Sequence, residues 1–323
     1  RLPVSARLYS IKTSLRSRIY EFFPENGSIA AGFLLGDKTG MDEAEKEVFT
    51  QTGTAHLLTL SGFHVGILTA GLFLILPKRF PRMRFILVGA FLLFYCAMTA
   101  FAPSLSRAGI MCLCVMAADV FERRADALSS LSLAALIILL VSPYQLYSVG
   151  FRLSFAATLG IILVTRHGTL GPSRGLLGKL ANAAAVTLAA TAATALISAR
   201  YFGEFPVYGL VSNIIAVPIF SAAIVMSFIA LAVGLVFPFL GYYAAYPADK
   251  LIGLAMRLLE AIGRLPYSKL EVISPSVLTG LLMLVLMFCV SGYVLRPIGK
   301  RLRLAAPVFL LFTASVAADI IRS

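Results

Sequence analysis

The stretch Gly53–Leu68, GTAHLLTLSGFHVGIL, decides how the chain is read. It opens an apolar run that enters a membrane, yet it carries His56, Ser61 and His64 with it. Polar groups in hydrocarbon are costly unless something pairs with them, so these residues demand a reason. On an ideal helix of about 100° per residue, Ser61 and His64 lie about 60° apart, and His56 about 80° from His64. The spacing predicts one helix with all three residues facing one sector of a bundle. Gly62 and Gly66 form a G-x-x-x-G, which lets a neighbouring helix approach closely.

The rest of the chain agrees with a membrane setting. Of 323 residues, 59% are hydrophobic and 13% charged, far more apolar surface than a soluble domain buries. Tryptophan is absent, so tyrosine and phenylalanine must supply any interfacial belt. The chain begins at Arg1 with no charged–apolar–small leader pattern, and a piece of a longer protein is expected. Its net charge is +13, from 28 Lys and Arg against 15 Asp and Glu. Basic cytoplasmic loops account for much of that excess, and the remainder suits an anionic substrate. The four cysteines lie in apolar segments without a CxxC or a nearby histidine, which predicts buried free thiols.

Two regions follow. Residues 1–55 form the long polar region: a basic amphipathic helix over VSARLYSIKTSLRSRIYEFF, then a short soluble helix over TGMDEAEKEVFTQTG. Thr39 and Asp42 are expected to form the cap of that second helix. Residues 56–323 form a polytopic transmembrane domain. Spans are expected near 56–76, 85–102, 106–121, 128–142, 151–166, 180–199, 207–236, 276–295 and 304–321. Residues 242–264 read as an interfacial helix or as a poor span packed inside a bundle, because Lys250, Arg257 and Arg264 recur there. The basic loops at 77–84, 121–126, 166–179 and 296–303 all belong inside by the charge rule. That places residues 1–55 and Ser323 on the outer face and requires an even number of crossings, about 8 to 10.

The stretch FPVYGLVSNIIAVPIF places Pro206, Gly209, Asn213 and Pro218 inside apolar sequence. It reads as a kinked packing helix or as a broken, re-entrant helix that lines a pathway. The arginines carry the electrostatics. Arg107 stands one turn from Ser104 at the mouth of one span, and Arg152 stands beside Ser154 at another. Each either snorkels to headgroups or joins a ring of cations and hydroxyls suited to a phosphate chain. Of the acids, the spans are expected to bring only Asp119 to membrane depth. A polyanion path avoids fixed negative charge, whereas proton- and sodium-coupled carriers keep carboxylates. HLLTLSGFH is not HExxH, and Ser61 has no nucleophile elbow, so neither metal nor cofactor nor catalysis is expected.

These motifs together resemble the ComEC competence family. GTAHLLTLSGFHVGIL resembles that family's signature, and SRAGIM, FRLSFAATLG, FPVYGLVSNIIAVPIF and the upstream GFLLGDKTGM fit it in order. The resemblance implies an inner-membrane channel for single-stranded DNA in natural transformation. Carried over position by position, it implies a path set of His56, Ser61, His64, Arg107, Arg152, Ser154 and Asn213. It also implies flanking oligonucleotide-binding and metallo-β-lactamase-like domains, neither visible here, and no H-x-H-x-D-H occurs to support a nuclease. The expected fold is an all-α polytopic bundle with broken or re-entrant helices and an amphipathic N-terminal region. Expected partners are single-stranded DNA, membrane lipid, a DNA receptor outside, and an ATPase or DNA-binding proteins inside. No P-loop occurs in the chain, so such an ATPase is a separate protein. The competing reading is an ion-coupled transporter of a small anion.

Overall fold

The computed structural model describes residues 4–77, 79–165, 175–266, 268–271, 276–290 and 298–322. Parts of the expected basic loops at 77–84, 166–179 and 296–303, the end of the 276–295 span and Ser323 lie outside the described residues. Along the chain run α1 (Val4–Phe22), α2 (Gly27–Leu35), α3 (Glu43–Gln51), a 3-10 turn (Ala55–Leu58) and α4 (Gly62–Ile75). Then come α5 (Pro81–Met98), α6 (Pro103–Val120), α7 (Ala127–Val141) and a second 3-10 turn (Pro143–Tyr147). They are followed by α8 (Val149–Thr165), α9 (Gly175–Phe202), strand β1 (Glu204–Pro206), α10 (Gly209–Val236) and α11 (Pro238–Gly263). The last elements are β2 (Lys269–Glu271), α12 (Val277–Val290) and α13 (Ile298–Arg322).

The architecture is all-α, with two three-residue antiparallel strands as its only pairing among the described residues. Among the described residues, four stretches are long and apolar enough to cross a membrane: Pro81–Met98, Pro103–Val120, Ala181–Phe202 and Gly209–Val236. Shorter apolar helices occur at Gly62–Ile75, Ala127–Val141, Val149–Thr165 and Ala305–Ser315.

Local sequence explains where the helices begin. Pro81 and Pro103 open α5 and α6 at the first turn, where a missing N–H costs nothing. The cap of α3 differs from the expected one. Asp42 accepts from the Glu45 N–H at 2.6 Å, and Glu45 reaches back to the Asp42 N–H at 3.1 Å. Thr39 instead donates its N–H and hydroxyl to Asp37 at 3.1 and 2.6 Å. The Asp-x-x-Glu box satisfies two orphan N–H groups reciprocally, which a Thr–Asp pairing does not. At its other end α2 stops at Gly36, whose φ of 65° is the left-handed geometry that glycine adopts without strain.

The chain packs as two units. The first comprises Arg1–Ile138 and Val211–Ser268. Its larger core joins Ile19 and Phe22 of α1 and the adjoining Phe23 to Phe33 of α2, Phe49 of α3, Phe220 of α10 and Ile252 of α11. The Phe33 and Phe220 rings meet edge to face at 5.2 Å. α2 is almost wholly buried, so the N-terminal region contains a core helix that its polar surroundings hide in the sequence. A second core gathers Leu60 and Val65 with Val88, Leu92, Leu105 and Met116 of α5 and α6. Tyr95 donates its hydroxyl to the Leu34 carbonyl at 2.7 Å, tying α5 to the end of α2.

α10 runs unbroken through Pro218, and before its start at Gly209 the chain forms strand β1 and a two-residue turn. α11 buries Gly241, Ala245, Ala248, Asp249, Ile252, Ala255, Met256 and Leu259, a three-and-four spacing that packs one face against α1, α2 and α3. The Phe22 ring wedges against Gly234 and Gly241, where a Cβ would overlap it.

The second unit comprises Leu139–Leu210 and Lys269–Ser323. Within it α8 pairs with α9 and α12 with α13, and β1 meets β2 with Pro206 opposite Lys269. Asp319 clamps the start of α12: it accepts from the Ser276 N–H at 2.8 Å and the Thr279 hydroxyl at 2.7 Å. The buried Thr279 and Ser315 hydroxyls lie 2.6 Å apart beside it.

Candidate functional site

The opening motif does not form one helix. Residues Ala55–Leu58 make a 3-10 turn, Thr59 and Ser61 are extended, and α4 starts at Gly62 with Ser61 as its N-cap. The angles expected for a continuous helix therefore fail for His56, which is exposed on a separate element. The cause is local. Ser61 and Gly62 favour a helix start over helix continuation, because a serine at the cap meets otherwise orphaned N–H groups.

Ser61 and His64 do meet. The Ser61 N–H donates to His64 Nδ1 at 3.1 Å, and the Ser61 hydroxyl lies 3.2 Å from the same nitrogen. Accepting that N–H fixes a neutral ring with its proton on Nε2. Only 1% of His64 is exposed, and its ring packs edge-on to Phe228 at 6.3 Å. Nε2 is buried without a well-formed hydrogen bond among the described residues.

Gly62 faces α6, since a Cβ there would lie 3.6 Å from that of Ala108. The first turn of α4 thus lies beside the turn of α6 that carries Arg107. Gly66 faces open space, so the G-x-x-x-G contributes one contact glycine, not two. Arg107 is half-buried, with Nη1 3.7 Å from Met111 Sδ. Asn213 belongs to the same unit but to another level. Fifteen residues of α10 separate it from Phe228, a rise of about 22 Å, so His64 and Asn213 are not neighbours. The Asn213 Oδ1 and the Ser212 hydroxyl are both buried without hydrogen-bond partners among the described residues.

In the second unit Arg152 is built into a cluster that sequence spacing did not disclose. Ser148 caps α8 by accepting the Phe151 N–H at 3.2 Å, while its own hydroxyl lies against Gln145 O at 2.9 Å. Arg152 then donates Nε–H to the Leu146 carbonyl at 2.8 Å and Nη1–H to the Tyr201 hydroxyl at 2.6 Å. Its guanidinium carbon lies 5.8 Å from the Tyr147 ring centre and 5.7 Å from that of Tyr201. Each such cation–π contact contributes about 0.5–1 kcal/mol where exposed. Ser154 is buried two residues further along α8, and its carbonyl accepts from Thr158. Tyr147 was within reach of sequence reading, five residues before Arg152; Tyr201 was not.

Asp119 is exposed near the end of α6. The buried acid is Asp249, 3% exposed, which accepts from the Glu25 N–H at 3.3 Å and from the Asn26 N–H at 3.0 Å and Nδ2–H at 2.8 Å. Asp249 and Asp319 are thus both engaged in bracing helix ends. Among the described residues, no three His, Cys, Asp or Glu side chains gather as a metal site would require.

The family model described as Competence protein matches residues 33–297, a span that includes His56, Ser61, His64, Arg107, Arg152, Ser154 and Asn213. The chain belongs to the Competence protein family. It is 30% identical over 224 residues to ComE operon protein 3 of Bacillus subtilis, covering 67% of this chain and 28% of that protein. It is 30% identical over 238 residues to an uncharacterized protein of Aquifex aeolicus, covering 69% of this chain and 55% of the relative. Recombination protein 2 of Haemophilus influenzae is 27% identical over 141 residues, 41% of this chain and 18% of its own length. The chain therefore spans about half or less of each of these relatives. No solved structure matches it. As a member of the Competence family with apolar spanning helices, it is a membrane protein.

Proposed function

We propose that this chain is the membrane core of a channel that conducts single-stranded DNA across the inner membrane into the cytoplasm during natural transformation. The observation that carries this reading is the Competence match over residues 33–297, together with the order of the quoted motifs inside it. The names ComE operon protein 3 and Recombination protein 2 agree with a role in DNA uptake and processing. The electrostatics support a polyanion. Arg107 and Arg152 stand in the opening turns of α6 and α8, while Asp249 and Asp319 are engaged in helix braces.

In this mechanism the cations capture phosphate at the mouth, and neutral hydroxyl and amide groups deeper in the helices let it pass. Conduction needs sites favourable enough to enter and weak enough to leave. His64 braces the passage by fixing the start of α4. Gly62 keeps α4 and α6 close, and the strand that ends at Pro206 precedes the long helix that carries Asn213. The chain performs no bond-breaking step in this reading. Strand cleavage and the driving force belong to other domains or proteins, with a receptor outside and an ATPase or DNA-binding proteins inside. The N-terminal region lies on the outer face.

The test is uptake of labelled DNA into a nuclease-protected cytoplasmic pool, in a transformable host lacking its own channel. Expression of this chain in its natural context restores uptake, and Arg107→Gln lowers it at least about tenfold at matched membrane levels. No restoration at good membrane levels sinks the channel and favours the small-anion carrier. Salt dependence separates the two independently. Single-stranded DNA touching Z phosphates gives a log–log slope of about −0.7Z, and a small anion gives a shallow one.

A further inference from the structure

Resting on the DNA-channel reading, we infer that Tyr144, Tyr147, Arg152 and Tyr201 form a loading station on the second unit, where tyrosine rings stack bases while Arg152 holds the intervening phosphate. The residues are already assembled. Arg152 is fixed by two hydrogen bonds, to Leu146 O and to the Tyr201 hydroxyl, and lies near the Tyr147 and Tyr201 rings. A guanidinium has five N–H donors. Two are used here, and Arg152 has no carboxylate partner among the described residues.

The rings are accessible. Tyr147 is 70% exposed, Tyr144 84% and Tyr201 41%. Tyr144 and Tyr147 occupy one 3-10 turn, and side chains three apart in such a turn eclipse one another. In an ideal turn of this kind the two positions share one edge, about 6 Å apart along its axis at about 2.0 Å per residue. Rings interleaved with cations are the pattern that binds single strands without sequence preference, because every base offers a π-face. The Ser148 cap and the Nε bond to Leu146 O hold the turn against the start of α8, so little order is lost on binding.

A tyrosine belt at a lipid headgroup layer uses the same residue types. There the ring lies along acyl chains and the hydroxyl faces water or headgroups. Here the Tyr201 hydroxyl is turned onto Arg152, and both rings lie against the cation. That arrangement presents one combined phosphate-and-base surface, so the occupant is single-stranded DNA.

The test uses the chain in nanodiscs of neutral phosphatidylcholine. Affinity is measured for a fluorescent dT 20-mer and for an abasic 20-mer with the same number of phosphates. The dT strand binds about tenfold more tightly, the loss expected for one stacked base. Tyr147→Ala narrows the gap between the dT and abasic strands and leaves the salt slope unchanged. Tyr147→Phe retains the preference, which separates stacking from misfolding. Arg152→Gln weakens both strands and flattens the slope by about 0.7. Equal binding of dT and abasic strands overturns the station while leaving the channel reading intact. Tyrosine variants that alter only retention in the membrane also overturn it, in favour of a lipid belt. If neither strand binds and the uptake test also fails, both readings fall together; if uptake succeeds, only the station does.

Discussion

Ser61 donates its backbone N–H to Nδ1 of His64, three residues on, at 3.1 Å. The second histidine of the motif thus braces the start of its own helix. A residue at this position that accepts a hydrogen bond can replace it. His64→Gln, which restores a capping-box acceptor, keeps stability within about 0.5 kcal/mol, while His64→Leu loses about 1 kcal/mol. Thermal unfolding in detergent distinguishes them. Equal losses for both variants would show that the imidazole is needed for more than the cap.

Asp249 receives three N–H groups from Glu25 and Asn26. Asp249→Ala leaves those donors without their acceptor and is expected to destabilise the chain by about 3 kcal/mol, since bonds to a charged group contribute about 1.5–3 kcal/mol each and water recovers part. Asp249→Asn keeps one acceptor oxygen and costs less. A change within about 0.5 kcal/mol for the alanine variant, the range of an ordinary surface substitution, contradicts the brace.

Two glycines in apolar helices should behave oppositely. Gly241→Ala meets both the Phe22 ring and the Gly234 backbone, so it overpacks the core and costs about 1–3 kcal/mol. Gly66→Ala meets nothing within 4 Å and gains about 0.5–1 kcal/mol from a less flexible unfolded chain. Unfolding midpoints in one detergent decide the sign of each.

Asp37 links stability to pH. Burial raises its pKa, but the hydrogen bonds from Thr39 and the charges of Arg16 and Lys12 outweigh that and hold it below the ordinary carboxylate value. A carboxyl depressed on folding stabilises the protein above its unfolded pKa, and that contribution disappears as pH falls through the folded value. Asp37→Asn therefore weakens the protein at neutral pH and loses less on acidification below about pH 4 than the parent does. Denaturant midpoints from pH 6 to 3 give the comparison, and parallel acid limbs would rule Asp37 out as a contributor.

The spans were legible because hydrophobic length survives any detail of packing: the runs around 85–102 and 106–121 became α5 and α6 within a few residues. The cap of α3 was misassigned to Thr39, although Asp42 and Glu45 carry the Asp-x-x-Glu spacing that forms it. The histidine motif misled because a periodic angle assumes an uninterrupted helix, and a serine–glycine step is where helices begin. Asp249 was hidden in a segment of mixed polarity, and its partners lie 223 and 224 residues away. Tyr201 reaches Arg152 across 49 residues, a distance that no local pattern encodes.

The bond between Asn26 and Asp249 also sets a timetable. The N-terminal segment leaves the ribosome first, yet the carboxylate that secures it follows 223 residues later. At about 5–20 residues per second that interval lasts about 11 to 45 s. Throughout it Phe22, Phe23 and the buried face of α2 lack their α11 partners, so the newborn chain exposes its most apolar N-terminal surfaces before it has made the helix that covers them. Insertion machinery or a chaperone that shields this segment for those seconds becomes a requirement of biogenesis, and a stalled chain ending before residue 249 is the species it must protect.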